Sequence, residues 1–379
     1  MLGVSTDLWS SSGTTSTTST LVGENGTGAL QVNGIYPELD SLSLTELEAR
    51  FRASPPENPD LANAPPPEDP DLEYADLWYD EVAIAIRERG PDAGARFLRE
   101  EVAGADPDRL TAILLAISWF HERDRGNADL LIECLEHPDE HVVARAIDGL
   151  SWLGGCGLTD RILALIADPR AGVRGAVLRF AARVMPDRAP ALLLDALQDS
   201  DYHVRSNAVD QLEDLDYTPA LARIEALCAD PHPHVRQTAL SAIPNLGARD
   251  QAIPLLLEAL RDPHHLVREQ AVRELDGLDC TSVLPRIEAL CADPEPGVRQ
   301  AALAAVDKLG TPDKAIPLLL GALVDPNSTV RFIAVNHLGR REQFTDAATF
   351  ERMLEDPDKD VRECARSILS HLPDSAKSQ

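Results

Sequence analysis

From about residue 72 onward, apolar side chains fall three and four residues apart, which is the helical period and not the strand period. "QAIPLLLEALRD" (251–262) puts Ile253, Leu256, Leu257 and Leu260 on one stripe. "HVRQTALSAIPNLG" (234–247) does the same with Val235, Ala239, Ile243 and Leu246. The first stretch contains Pro254, expected in the first turn, where a missing N–H leaves no bond unmade. The second ends at Gly247, suited to a left-handed cap. The pattern predicts pairs of amphipathic helices.

The pair recurs. D-P-x-x-x-V-R begins at Asp168, Asp230, Asp262, Asp293, Asp325 and Asp356, with a near copy at Asp199 and weaker ones at His137 and Asp106; successive starts lie 31 or 32 residues apart. A double period of 63 residues is also present, with "RIEALCADP" at 223 and 286. One helix pair cannot bury its apolar face alone, whereas stacked pairs can. The fold predicted is all-α, a solenoid (superhelix) of about nine 31-residue helical hairpins.

The phrase itself reads as structural chemistry. Pro stops the first helix. The Asp carboxylate is placed to accept from free N–H groups at the start of the second helix. Val is a core residue. Arg, six positions after Asp, reaches its own carboxylate or that of the next repeat, forming a ladder. Arg174, Arg236, Arg268, Arg299, Arg331 and Arg362 supply it. His137 and Val143 replace the pair in one repeat, so the ladder is expected to break near residue 140; Ser200 replaces Pro in another, but Asp199 and Arg205 remain.

Period, helix pairs and phrase together resemble HEAT-like repeats, of the subclass first recognised in phycobilisome lyases, over about residues 76–372. That class occurs in lyase subunits, scaffolds and adaptors. The resemblance implies that the second helices line a concave face, and that the chain is a non-enzymatic scaffold or adaptor binding a protein there. The alternative it implies is a subunit of a chromophore (bilin) lyase, although no motif identifies bilin binding. HEAT-like deoxyhypusine hydroxylases hold a di-iron centre with several His-Glu pairs, whereas His121-Glu122 is the sole pair here.

Counting the phrase's Asp as one, positions eight, twelve and sixteen point into the concave face. They include Asp148 and Trp152, Arg179 and Arg183, Asp210 and Asp214, Gln237 and Asn245, Glu269 and Arg273, Gln300 and Lys308, then Phe332, Asn336 and Arg340. The frame repeats while these vary, as a surface fitted to a partner would. Trp152, Arg179, Arg183, Asp210, Asn245, Arg273, Phe332, Asn336 and Arg340 are the candidate partner-binding residues, with Trp152, Phe332 and the arginines foremost because aromatic and Arg side chains dominate hot spots.

Composition narrows the function. Hydrophobic residues make up 44% and aromatics 4%, so small and branched aliphatics must do the packing. A net charge of −28 argues against general nucleic-acid binding, which depends on cationic neutralisation of phosphate. No phosphate loop, nucleophile elbow or CxxC pair appears. Cys228 and Cys291 occupy the same place in the repeated phrase and read as small buried residues. His232 and His264 share one turn position and read as solvated, because stacked repeats hold equivalent residues too far apart for one ion. No cofactor or metal is expected, and no membrane association; the localisation expected is cytoplasmic.

The N-terminal part differs. Residues 1–71 are Ser/Thr/Gly-rich and then Pro-rich and acidic ("PPENPDLANAPPPEDPD", 55–71), read as a disordered or extended tail. Within it, 42–54 is a candidate short helix with Thr45 as possible cap. The solenoid is assigned to 72–372, and 373–379 to a disordered end.

Overall fold

A computed structural model of the chain describes residues 39, 41–53, 74–89, 91–119, 125–278, 281–341, 344 and 346–371. Most of the Ser/Thr/Gly-rich and Pro-rich stretches, the His121-Glu122 pair and residues 373–379 lie outside them. The described residues form helices and no strand, and no helix is long and apolar enough to cross a membrane. Two compact units divide at Phe180/Ala181.

The first unit holds α1 (Leu44–Arg52), α2 (Tyr74–Arg89), α3 (Pro91–Glu101), α4 (Pro107–Trp119), α5 (Arg125–Cys134), α6 (Glu140–Trp152), α7 (Thr159–Ala164) and most of α8 (Ala171–Val184). α2, α4 and α6 stack side by side, and α5 packs on α6. Ser43, rather than Thr45, caps α1: its hydroxyl accepts from Glu46 N while the Glu46 carboxylate accepts from Ser43 N at 2.8 Å. Leu47 and Phe51 of α1 are fully buried. Phe51 meets Tyr79 and Phe97 edge to face at 5.8 and 6.1 Å. The Tyr79 hydroxyl donates to Ala53 O, and Arg109 Nη2 to Arg52 O. Helix α1 therefore covers the end of the stack that would otherwise expose apolar surface.

The second unit continues with first helices α9 (Ala189–Ala196), α11 (Leu221–Leu227), α13 (Arg249–Ala259), α15 (Leu284–Leu290), α17 (Pro312–Ala322) and α19 (Ala347–Met353). These alternate with second helices α10 (Tyr202–Asp214), α12 (Pro233–Asn245), α14 (His265–Gly277), α16 (Pro296–Leu309), α18 (Ser328–Arg340) and α20 (Lys359–His371). Each first helix packs on its own second helix, and each second helix on the next. From α3–α4 to α19–α20 the described residues thus make the hairpins that the period predicts.

The core follows the phrase. Its Val is buried in every copy from Val142 to Val361, each at most 1% exposed. Four positions later stands Ala146, Val177, Ala208, Ala239, Ala271, Ala302, Ala334 or Ala365, all sealed from solvent. Alanine there lets neighbouring helices approach closely, while valine fills the space beneath. Gly247 has φ 83° and closes α12, and Asp216 adopts φ 49° at the same place after α10. Helix α13 begins at Arg249, earlier than the pattern predicts, so Pro254 lies in its second turn. The carbonyl of Asp250 loses its helical donor there.

In the second unit the ladder runs forward. Arg205, Arg236, Arg268, Arg299 and Arg331 grip Asp230, Asp262, Asp293, Asp325 and Asp356 of the following repeat, each with two bonds of 2.7–2.9 Å. The remaining guanidinium nitrogen of each donates to two carbonyls of its own repeat, such as Asp230 O and Pro231 O for Arg236. Each carboxylate also accepts from the backbone N–H two residues on, as Asp230 does from His232 at 2.8 Å. One side chain so ties a turn to the next hairpin and leaves few polar atoms unpaired.

The break expected near residue 140 does not occur; the rung is rewired. His137 Nδ1 accepts from Asp139 N at 3.1 Å, as the Asp carboxylate does elsewhere. Val143 is buried and offers no guanidinium, but Arg170 of the next repeat replaces it. Arg170 Nη1 donates to His137 O and Pro138 O at 3.0 and 3.2 Å, while Nε and Nη2 hold both oxygens of Asp168 at 2.8 Å. The same two groups are bridged from the opposite side.

Candidate interaction face

The candidate residues fall on the second helices, whose inner sides are in the core and whose ends are fixed by the ladder. In the first unit, Trp152 closes α6 and is 44% exposed, a large apolar surface left in solvent. One turn earlier, Asp148 receives Arg179 of α8 at 2.9 and 3.2 Å. Burial works against the Arg179 charge, yet Asp148 more than offsets this and raises its pKa.

In the second unit, burial raises the Asp214 carboxyl, and the exposed Arg183 opposes this in part. Arg273 is exposed and pairs with Glu269 on its own helix. Asn245 Nδ2 donates to Glu213 Oε1 at 2.8 Å, across from α12 to α10. Asp210, one turn before Asp214 on α10, is half-buried; burial pushes its carboxyl up to about 7, with Glu213 and Asp214 adding repulsion. Glu213 and Glu274 are also raised, burial being the first cause in each. Gln270 Nε2 donates to Glu274 Oε1 at 2.7 Å.

Phe332, Asn336 and Arg340 lie together. With Gly339 of α18 and Cys364, Ser367, Ile368 and His371 of α20 they line an open cavity of about 420 Å³. Phe332 and Ile368 give it apolar walls, and Arg340 its cationic edge.

Selection by positions eight, twelve and sixteen missed Glu213, Gln270 and Glu274. Glu213 lies one position before the sixteenth, and Gln270 and Glu274 lie one position after the eighth and the twelfth. Spacing within α14 was a usable signal, since Gln270 and Glu274 are four residues apart and adjacent on a helix.

The turn histidines are not simply solvated. His232 stacks on Tyr202 at 3.5 Å and His264 on His265 at 4.7 Å, while both Nδ1 atoms are buried without a partner. Burial depresses both imidazoles' pKa values. Trp78 and Tyr79 are core residues of the first unit. Burial pushes the Cys228 and Cys291 thiols up to about 12, which suits packing rather than nucleophilic chemistry. Among the described residues no group of three or more His, Cys, Asp or Glu is placed to hold a metal ion.

The chain matches the family described as HEAT repeats in four overlapping stretches, residues 158–244, 190–276, 253–331 and 283–370, together more than half its length. None of the curated proteins matches it. Among solved structures, YibA of Escherichia coli is similar with a TM-score of 0.51 and 18% identity, over 67% of this chain and 96% of that one. A chain from the structure of Kap95p with RanGDP is similar with a TM-score of 0.51 and 14% identity. It covers 89% of this chain, which spans about half (51%) of that one. An engineered protein aligns over 88% of this chain and 99% of its own, at 16% identity and a TM-score of 0.38. The two at 0.51 agree on the fold, a helical solenoid.

Proposed function

This chain belongs to the HEAT repeat family, and we propose that it is a non-enzymatic interaction scaffold that holds a protein partner against the face of its second helices. The observation that carries this reading is the cavity between α18 and α20. There three variable residues of the repeat frame, Phe332, Asn336 and Arg340, gather around an apolar floor with a cationic edge. A partner side chain inserted there buries apolar area and gains charge-assisted bonds at the rim, the composition of an interaction hot spot. Trp152 offers a second anchor in the first unit.

The placement in the phycobilisome-lyase subclass rests on the 31-residue period and the D-P-x-x-x-V-R phrase. Affinity capture from the native lysate with the triple variant Trp152→Ala/Arg183→Ala/Phe332→Ala tests the face. Loss of the captured partner with unchanged helical circular dichroism is expected. Unchanged capture overturns the assignment.

A further inference from the structure

We propose that the cavity between α18 and α20 captures the C-terminal residue of a partner protein, taking its apolar side chain against Phe332 and Ile368 and its free carboxylate on Arg340. This rests on the reading of the second-helix face as the partner face, and names the chemistry of what it takes.

Helical spacing builds the walls. Phe332, Asn336 and Arg340 share one stripe of α18, and Cys364, Ile368 and His371 share one stripe of α20. The two helices pack on each other. A Cβ on Gly339 would run into Ile368, so glycine there lets the Ile368 side chain lie against α18. Phe332, Cys364 and Ile368 are only half-buried, which leaves apolar surface open to the cavity. Its volume of about 420 Å³ lies within the range of pockets that take small ligands, about 300–1,000 Å³.

The polar side chains around it are unused. Among the described residues, those of Asn336, Arg340 and Ser367 make no hydrogen bond or ion pair. Other second-helix arginines are answered by carboxylates: Arg179 by Asp148, Arg273 by Glu269, and Arg205, Arg236, Arg268, Arg299 and Arg331 by the next repeat's Asp. The Arg340 charge instead bears on the Cys364 thiol of the same cavity; burial raises that thiol's pKa, and Arg340 opposes the rise. In a chain of net charge −28, a guanidinium with no carboxylate beside an apolar cavity is complementary to an anion from outside.

The cavity's chemistry selects the anion. One guanidinium balances one negative charge. Arg340 and His371 are the last residues of α18 and α20, and the carbonyl ends of both helices disfavour further negative charge. A carboxylate therefore suits the site better than a phosphate dianion. The carboxylate must also lie beside the apolar group. In an extended segment successive side chains point to opposite faces, so an acidic residue next to an apolar one turns its charge away. A C-terminal residue carries both groups on one Cα. The Asn336 amide adds a donor and an acceptor, which match the C=O and N–H of the peptide unit that precedes such a residue.

The test uses the full chain with isotope-labelled isoleucine δ1 methyls, read by NMR, the Ile368 signal being assigned by its loss in Ile368→Val. The probes are the peptide acetyl-Ser-Gly-Phe with a free carboxylate and the same peptide amidated. Diffuse electrostatics favour the amide, because the protein carries a net charge of −28, so the sign of the difference separates a built site from general attraction. A saturable shift of Ile368 is expected, with the free acid bound at least about threefold more tightly than the amide, the scale of an exposed ion pair. Arg340→Gln, at an exposed position, is expected to keep the rest of the methyl spectrum and to remove the preference. Equal or weaker binding of the acid overturns the inference, and so does a preference that survives Arg340→Gln. An amidated peptide ending in phosphoserine that binds more tightly than the acid makes this a phosphate site and also overturns it. Peptides that leave Ile368 unmoved, while Trp152→Ala/Arg183→Ala/Phe332→Ala still abolishes partner capture, overturn this inference and leave the scaffold reading standing.

Discussion

The rewired rung between His137 and Asp168 makes a sharp prediction about coupling. Arg170→Ala removes two bonds of 2.8 Å to Asp168 and two to the carbonyls of His137 and Pro138. It leaves Asp168 with the backbone N–H of residue 170 as its donor. A charge-assisted bond nets about 1.5–3 kcal/mol. The Arg170 side chain is 29% exposed, so its solvated share is discounted and the loss is about 2–3 kcal/mol. Val143→Arg alone replaces a fully buried valine and brings a second guanidinium against the one Arg170 already supplies, and costs about 3 kcal/mol. The double variant restores the arrangement of the other repeats, in which Arg331 stands at the equivalent place. It is expected within about 1 kcal/mol of wild type, a coupling of roughly 4 kcal/mol. Urea denaturation followed by circular dichroism measures the totals. Amide exchange in α6 and α8 locates them, because solenoid repeats open locally. Additive losses, with coupling below about 1 kcal/mol, refute the claim that Arg170 stands in for the missing arginine.

Other outcomes follow from the carboxylates and thiols. Asp210 titrates near 7 in the fold against 3.8 unperturbed, so the fold binds a proton the unfolded chain has lost, and stability falls as pH rises between these values. The gap sets a ceiling of about 4 kcal/mol, roughly halved by partial solvation. Asp210→Asn should therefore stabilise by about 2 kcal/mol at pH 8 and by less than half of that at pH 5 in urea titrations; equal effects would contradict burial as the cause. The rung carboxylates carry the opposite sign. Asp168 and Asp356 lie below the ordinary Asp value, chiefly through hydrogen bonds from Arg170 and Arg331. Their contribution is complete above about pH 4 and lost as pH falls through the lowered values. Acid unfolding monitored by circular dichroism should thus begin below pH ~4 and shift upward in Arg331→Met. Finally, native alkylation at pH 8 mapped by mass spectrometry should modify Cys228 and Cys291 at least a hundredfold more slowly than in urea, since burial holds both thiols near 12. Comparable rates in the two states would place those thiols in solvent.

Much of the molecule is local information and is therefore legible in the sequence. The 31-residue recurrence, the helical spacing of Val235, Ala239 and Ile243, and the Asp-Pro turn specify hairpins and the need to stack them, because each depends on residues a few positions apart. The buried Val and Ala positions follow from the same periodicity. What tertiary structure decided lies between repeats. The sequence left open whether each arginine turns to its own Asp or to the next; the packed helices place the next carboxylate within reach. His137 and Val143 read as a broken rung, since no local rule says that Arg170, one repeat on, lies over the gap. Stripe counting found Asp210 and Asn245 but not Glu213 and Glu274, whose partners, Asn245 across on α12 and Gln270 one turn back on α14, are known only once the helices are packed. Phe332, Ile368 and His371 line one cavity because α18 packs on α20. The period sets which residues face a neighbour, whereas the stagger between helices and the length of each side chain set which of them meet.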